Sequence, residues 1–596
     1  MASYKAPLRD IRFALYELHD VEGLTKLPGY EEMGRDLLDP VLDEAAKFCE
    51  EVLQPLNRSG DEEGCHFENG VVRTPKGFDN AYKLFCQGGW GGLNVPAEWG
   101  GQGMPHMVGM MIEEMICSAN LSFNNYPMLT AGAIRAILAY GSQELKDKYV
   151  PKMVEGTWSG TMCLTESHCG TDLGLIRTKA VPAEDGSYKI TGTKIFITSG
   201  EHDLTENIVH LVLAKLPDAP KGAKGISLFL VPKVMVKDDG KLGPRNGVAC
   251  GAIEHKMGIR ASATCVMNFD GATGWLIGEP HKGMRAMFVM MNAARLTVGL
   301  QGIALGEASY QGATTYARER IQGRSLTGTK YPDKAADPIL VHPDVRRNLL
   351  TMRATTEGCR ALAVWVSRAL DMLEHTSDPV ARQDAEDFVA LMTPIVKALS
   401  TDLGFDNTNI GVQIFGGHGY IREHGMEQFV RDARIAQLYE GTNGIQALDL
   451  VARKMSAHAG RSLRHFFHPV AAYVEAKVED ETMGPFVQPL AKAFVRLQQA
   501  TAQIAQKGMS NPDEAGAAAT EYLRLFGLVA LAYMWCRSVE IALPKAGTAE
   551  DSDGFYKAKV ATAKFYMERV LPQSSGLFSA IMSGGKTMMA FEDAAF

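Results

Sequence analysis

Met162-Cys163-Leu164-Thr165-Glu166-Ser167-His168-Cys169-Gly170-Thr171-Asp172 marks the point where the texture of this chain changes. An apolar strand pattern runs into polar side chains beside a glycine. Beyond it, the segments Tyr188–Thr191, Ile208–Lys215, Ile226–Val231 and Thr264–Phe269 are short and rich in Val, Ile, Leu, Phe and Thr. Turn signals such as Asp185-Gly186 and Asp238-Asp239-Gly240 separate them, which predicts an antiparallel β domain of sandwich or barrel type. Before it the pattern is helical. Asp39-Pro40 reads as a cap with proline at the first helical position, followed by Val41, Leu42, Ala45, Phe48, Cys49, Val52 and Leu53 at helical spacing. A glycine-rich turn, Gly88 to Met104, interrupts the helices, and the helical pattern resumes near Met107. After Gly283 it returns and continues to the end. The order α–β–α predicts an α+β multidomain chain, a β unit set against helical bundles.

Working outward, four segments are expected: an N-terminal α-helical domain (1–158), the middle β domain (159–281), a C-terminal helical bundle domain (282–455) and an additional helical extension domain (456–596). The last boundary is placed where His465–His468 and an acidic patch at Glu479–Glu481 precede strongly amphipathic helices. The 596 residues are 46% hydrophobic and 22% charged, which excludes a disordered chain, a collagen-like fibre and a small disulfide scaffold. A formal net charge of −8 argues against general nucleic-acid binding. The extension holds 14 basic and 14 acidic residues and is no basic arm. Ten cysteines without CxxC spacing read as reduced thiols in a cytoplasmic protein. The N-terminus carries Asp10, Glu17 and Asp20 and lacks the apolar core of a secretory signal. The apolar run Leu525–Cys536, bounded by Arg524 and Arg537, is shorter than a membrane span needs.

Three motifs carry candidate chemistry. In Tyr439-Glu440-Gly441-Thr442-Asn443-Gly444, a carboxylate precedes two glycines flanking a hydroxyl and an amide. Glycines permit close backbone approach, their amides can cradle an anion, and a desolvated Glu makes a base. A helix cap with a solvated Glu is the alternative. Gln413-Ile414-Phe415-Gly416-Gly417-His418-Gly419-Tyr420 places three glycines in four residues, as a ligand approach or a C-cap. Its spacing is not that of a dinucleotide fingerprint. Ile195-Phe196-Ile197-Thr198 puts an aromatic and a hydroxyl two apart, hence on one strand face, suiting a planar ring or an ordinary β surface. Arg320 lies among arginines at 318, 320 and 324, and reads as a phosphate contact or a solvated face. His168, His418 and His424 are too scattered to suggest a metal, and none is expected.

Together, LNVPAEWGG, MCLTESHCGTD, KIFITSG, HKMGIRAS, YARERIQGR, QIFGGHGY and RDARIAQLYEGTNGIQ resemble the acyl-CoA dehydrogenase family, in order from about residue 40 to 455. The tail and the EGTNGIQ ending resemble its larger bacterial branch, which includes broad-range fatty acyl-CoA and 3-methylmercaptopropionyl-CoA dehydrogenases. The resemblance implies a four-helix bundle over 282–455 and an FAD site between β domain and bundle that reaches a neighbouring subunit. It implies that Met162, Cys163, Leu164, Thr165, Phe196, Ile197 and Thr198 hold the isoalloxazine ring. Arg320, Gln413, Gly416 and Gly417 would hold the pyrophosphate and adenosine of FAD across a dimer interface. Thr442, Asn443 and Gly444 match the loop closing on the cofactor, and Glu440 matches the base that takes the α-proton. Thr171, Asn292 and Arg295 match substrate-contacting positions, and Arg461 and Arg464, one helical turn apart, are added as contacts for the CoA phosphates. The implied reaction is α,β-dehydrogenation of acyl-CoA to trans-2-enoyl-CoA in fatty acid β-oxidation, with electron-transferring flavoprotein as acceptor and a homodimer as the assembly. Medium- to long-chain substrates are expected first, 3-methylmercaptopropionyl-CoA second. A flavin oxidase on the same fold is a third reading.

Overall fold

In the computed structural model, which describes Tyr4–Phe596, packing groups the chain into two compact units. The first three residues of the expected N-terminal domain lie outside the described residues. One unit comprises Lys47–Met104 and Ala119–Thr297, and is built on a seven-stranded sheet. Its strands are β1 (Trp158–Cys163), β2 (Lys179–Pro182), β3 (Tyr188–Thr198), β4 (Asn207–Lys215), β5 (Ile226–Pro232), β6 (Val248–Ile253) and β7 (Thr264–Ile277). The path runs β6-β7-β3-β2-β4-β1, with β5 pairing both β7 and β4. The long strand β7 therefore pairs with β3 from Thr264 to Gly274 and with β5 from Trp275 to Ile277, and the sheet closes as a barrel. The pairings are antiparallel apart from β1/β4 and β2/β4, which run parallel, an edge that the antiparallel expectation did not include.

Period-two alternation explains the nearly continuous apolar runs in β4 and β5. Val209, Leu211, Leu213, Leu228 and Leu230 pack with Leu129, Ile134, Tyr149, Met287 and Met290 of the flanking helices. Val212, Ala214, Phe229 and Val231 face the other way and meet Ile190, Ile197, Cys265 and Phe269. Both faces are buried, so neither needs polar residues.

The other unit comprises the chain up to Ala46, Pro105–Ser118 and Val298–Phe596. The helix α1 (His106–Tyr140) crosses between the two groupings at a break, where Asn120 is extended and its side chain caps the restarted helix at the Phe123 amide. Helices α2 (Gly283–Glu319), α3 (Pro343–His375) and α4 (Pro379–Phe415) form the bundle, and α5 (Arg461–Lys477), α6 (Gly484–Ser510) and α7 (Pro512–Ala542) form the extension. Gly302 on α2 and Gly404 on α4 abut, and a Cβ on either would fall 2.2 Å from backbone oxygen of the opposite helix. Only glycine allows that approach. Helix α7 is buried along most of its length, and Trp535 donates to the Ala354 carbonyl of α3.

Helices α2, α4 and α7 are long and apolar enough to cross a membrane. Their apolar windows are 72%, 83% and 83% buried inside the protein, so packing accounts for that composition. The N-terminal segment and the extension meet the bundle at a buried charge cluster. Arg360, 1% exposed, donates to Asp10, Glu114 and Glu307, and Lys559 donates to Asp10 and Glu357. Burial pushes the Asp10 carboxyl up, and Lys559 and Arg360 outweigh it and hold it down at about 2. A buried charge stripped of partners costs several kcal/mol, so this cluster fixes how the two chain ends dock.

Candidate active site

In the sheet unit, the expected flavin set gathers at one edge. Strand β1 is outermost in its path, so no further strand lies beyond its backbone on that side. Strand β3 bonds β7 through Lys194 and again from Ile197, but between them the register shifts, and the Ile195 amide turns to the Thr165 carbonyl. This bulge places Phe196 at φ +56°, and the residue is 60% exposed. Thr161 Oγ1 donates to Thr198 O at 2.7 Å, tying the two motif segments together. The side chains of Cys163 and Ile197 point instead into the barrel core, where burial pushes the Cys163 thiol up to about 12. Those two can offer a ligand only backbone.

Beneath this edge lies an ion pair. Lys194, fully buried, donates to Glu166 Oε1 at 2.9 Å and to the Leu164 carbonyl at 3.0 Å. Burial pushes the Glu166 carboxyl up, but Lys194 and the bonds from Thr178 and the Arg177 amide hold it at about 2. Burial pulls the Lys194 ammonium down, opposed by Glu166. His168 and Cys169 come within 4.8 Å of Glu166, in a grouping that resembles a metal site. Glu166, however, already accepts from Lys194, Thr178 and the Arg177 amide.

In the helical unit, Glu440 is half-buried and sits at φ +56°, followed by Gly441 at φ +82°. A left-handed glutamate costs about 1 to 2 kcal/mol, so other contacts must hold the turn. Gln446 Nε2 donates to the Glu440 carbonyl at 3.1 Å. Lys397, fully buried on α4, donates to Gly441 O and Asn443 Oδ1, each at 2.8 Å. The Asn443 amide donates onward to Thr401 and Asp402. Tyr439 donates to Gln301 of α2, and burial pushes its phenol up, so it stays a donor. Thr442 accepts from the Ile445 amide and caps the helix Asn443–Asp449. The cap and the carboxylate turn therefore coexist. Lys397, Gln446, Gln301 and Lys194 were not singled out from sequence. The one available signal was a lysine inside the apolar stretch Ile395-Val396-Lys397-Ala398-Leu399.

At one end of the bundle, Arg320 and the segment Gln413–Gly417 come together. Tyr316 stacks on Phe415 at 4.0 Å and its hydroxyl meets His418 Nδ1 at 2.8 Å. Arg320, Gln413, Gly416 and Gly417 are all exposed. A Cβ on Gly416 or Gly417 would meet nothing within 4 Å, and one on Gly444 would meet only Thr442 Oγ1 at 4.0 Å. The chain's own packing does not demand glycine at 417 or 444. Open glycines beside an exposed arginine fit a phosphate-bearing ligand, and the exposed Phe196 ring beside an open strand edge fits a planar heterocycle. The residues present suit FAD.

Of the expected substrate contacts, Asn292 and Arg295 share one face of α2, with Arg295 donating to Asn292 Oδ1 at 3.3 Å, and Thr171 is exposed. Arg461 is bound to Asp387 through two guanidinium nitrogens.

Comparison with known proteins shows the family to which the chain's domains correspond. Residues 38–157, 161–272 and 281–455 match the N-terminal, middle and C-terminal domain models of acyl-CoA dehydrogenase, and 466–592 match the "Acetyl-CoA dehydrogenase C-terminal like" model. The chain is 44% identical over 591 residues to 3-methylmercaptopropionyl-CoA dehydrogenase of Ruegeria pomeroyi, covering 98% of this chain and 99% of that one. It is 33% identical over 618 residues to the broad-specificity linear acyl-CoA dehydrogenase FadE5 of Mycobacterium tuberculosis, covering 100% of each. Its fold is similar to that of an acyl-CoA dehydrogenase from Bacillus anthracis solved with FAD, at a TM-score of 0.73 and 21% identity, covering 96% of this chain and 91% of that one.

Proposed function

This chain belongs to the acyl-CoA dehydrogenase family, FAD-dependent oxidoreductases that act on acyl-CoA, and from that premise we propose that it removes the α-proton and β-hydride of an acyl-CoA thioester with Glu440 as base. The observation that carries the reading is the Glu440 turn, a half-buried carboxylate held in a left-handed conformation by Gln446 and Lys397. The α-proton of a thioester is weakly acidic, so its removal needs a carboxylate fixed at the substrate and a donor to the developing enolate oxygen. Glu440 takes the proton on its carboxylate, and its own backbone N–H is the donor assigned to the thioester oxygen. FAD, when bound, supplies the hydride acceptor. Phe196 and the edge at Met162–Thr165 would hold its ring. Arg320 and Gly416–Gly417 would hold its phosphates. Electron-transferring flavoprotein would be the acceptor for the two electrons, and the product is a trans-2-enoyl-CoA.

The likeness at 44% identity over nearly the whole chain supports 3-methylmercaptopropionyl-CoA as substrate. The likeness to a broad-specificity linear acyl-CoA dehydrogenase supports a second reading, medium- to long-chain acyl-CoA in fatty acid β-oxidation. The exposed Arg320 and Gly416–Gly417 favour a homodimer in which a second copy completes each cofactor site, and ten cysteines in thiol form, none in a disulfide among the described residues, favour the cytoplasm. Anaerobic mixing of the yellow protein with methylthiopropionyl-, butyryl-, octanoyl- and palmitoyl-CoA tests the reaction by bleaching of the flavin band. Fastest bleaching by the methylthiopropionyl thioester supports the first substrate, and fastest bleaching by octanoyl- or palmitoyl-CoA the second. Yellow protein bleached by none of them removes both.

A further inference from the structure

A lysine ammonium buried in a helical bundle is stable only where hydrogen bonds replace its water. Lys397 is fully buried on α4, and its position is explained by what it holds. Its Nζ donates to Gly441 O and Asn443 Oδ1, both at 2.8 Å, the residues one and three beyond Glu440. The Asn443 side chain in turn donates to Ala398 O, Thr401 Oγ1 and Asp402 Oδ1 of the same helix. The loop is thereby fastened to one helix turn of α4 through both its backbone and its asparagine. Gln446 Nε2 reaches back to Glu440 O at 3.1 Å and Gly441 O at 3.4 Å, so the carbonyls of both left-handed residues have donors. Two consecutive left-handed residues, at φ +56° and +82°, set the direction in which the Glu440 side chain leaves the backbone. Left-handed glutamate is not a conformation the isolated chain would keep.

We propose that Lys397 is a positioning residue for proton abstraction: its ammonium, anchored on Gly441 O and Asn443 Oδ1, holds the left-handed turn that aims the Glu440 carboxylate. This inference rests on the reading of Glu440 as the base. Lys397 touches neither substrate nor flavin in this assignment. It acts through the loop, so its loss slows the chemical step without weakening the binding of either.

The test is anaerobic stopped-flow reduction of the FAD-loaded protein by whichever acyl-CoA reduces the parent. Lys397→Met is expected to lower the limiting rate of flavin bleaching about 10- to 100-fold, the scale set by misplacing a reacting group. Bound FAD per chain and the half-saturating substrate concentration stay within about twofold, as for an interaction made only in the transition state. In the Glu440→Gln background the same substitution adds no further loss, because groups acting as a unit are not additive. A merely structural defect would carry its full factor into the double variant. Parent-like bleaching by Lys397→Met overturns the proposal, and so does full additivity with Glu440→Gln. If Lys397→Met cannot be obtained with FAD, Lys397→Gln, which keeps one donor, decides: a fall of about threefold or more supports positioning, and the parent rate overturns it. Glu440→Gln alone separates the two claims. If it bleaches at the parent rate, the base reading and the positioning inference both fall. If it is inert while Lys397→Met is unimpaired, only the positioning inference falls.

Discussion

Each of the two regions assigned to the chemistry is braced by one fully buried lysine, and the two braces are built differently. Under the sheet edge, Lys194 is two residues from Phe196 and holds the Leu164 carbonyl together with the Glu166 carboxylate. In the helical unit, Lys397 is 44 residues from Gly441 and holds a backbone carbonyl and an asparagine amide. The first brace starts inside one motif, ties it to the other 28 to 30 residues away, and includes a carboxylate whose pKa is held down. The second is long-range and works on a strained backbone turn. A motif can thus be steadied by a lysine of the neighbouring motif or by a helix that no motif marks.

Glu440→Gln sharpens the contrast most. It preserves the loop's backbone bonds to Lys397 and Gln446 and removes only the proton acceptor. Substrate-driven flavin bleaching is expected to fall by about 1000-fold or more with FAD content unchanged. Near-normal bleaching would remove Glu440 from the reaction. Lys194→Met breaks the sheet brace instead. Leaving the 5%-exposed Glu166 without its cation is expected to cost about 3 to 5 kcal/mol of stability in denaturant unfolding, together with poorer FAD retention. A loss under about 1 kcal/mol would show that the Thr178 and Arg177 amide bonds suffice for the carboxylate.

Acid tests the same brace by titration. The Glu166 carboxyl lies at about 2 in the folded protein against an ordinary 4.5. Its contribution is therefore complete above pH 4.5 and is lost as the pH falls from there toward 2. Thermal melts of Glu166→Gln are expected to vary less with pH across that interval than those of the parent, and identical slopes would deny the pair that role. The smallest effect is expected at Arg461, whose guanidinium is engaged by Asp387. Arg461→Ala should change the half-saturating acyl-CoA concentration by less than about threefold, whereas a tenfold rise would place it at the CoA phosphates.

Much of this was legible in residue order. The β texture after Ser159 follows from short β-branched and aromatic segments between turn signals, and the Glu440 turn announced itself by glycines on either side of Thr442 and Asn443. The bulge that turns Phe196 outward was not legible, because a register shift depends on which strand lies opposite and where its pairing lapses. Nor were the inward-facing side chains of Cys163 and Ile197, for the same reason.

Residue identity alone determined that this chain has a helical, then β, then helical order, and which short segments carry the carboxylate, the aromatic and the glycines. These are local properties, set by side-chain period and by backbone freedom at single positions. Only the tertiary structure decided that α1 breaks at Asn120, that Arg360 and Lys559 gather acids from distant segments, and that Lys397 is bound to the Glu440 loop. Those are pairings of buried polar groups across long sequence separations. Burial makes them energetically compulsory, and only the folded chain shows which partner satisfies each one.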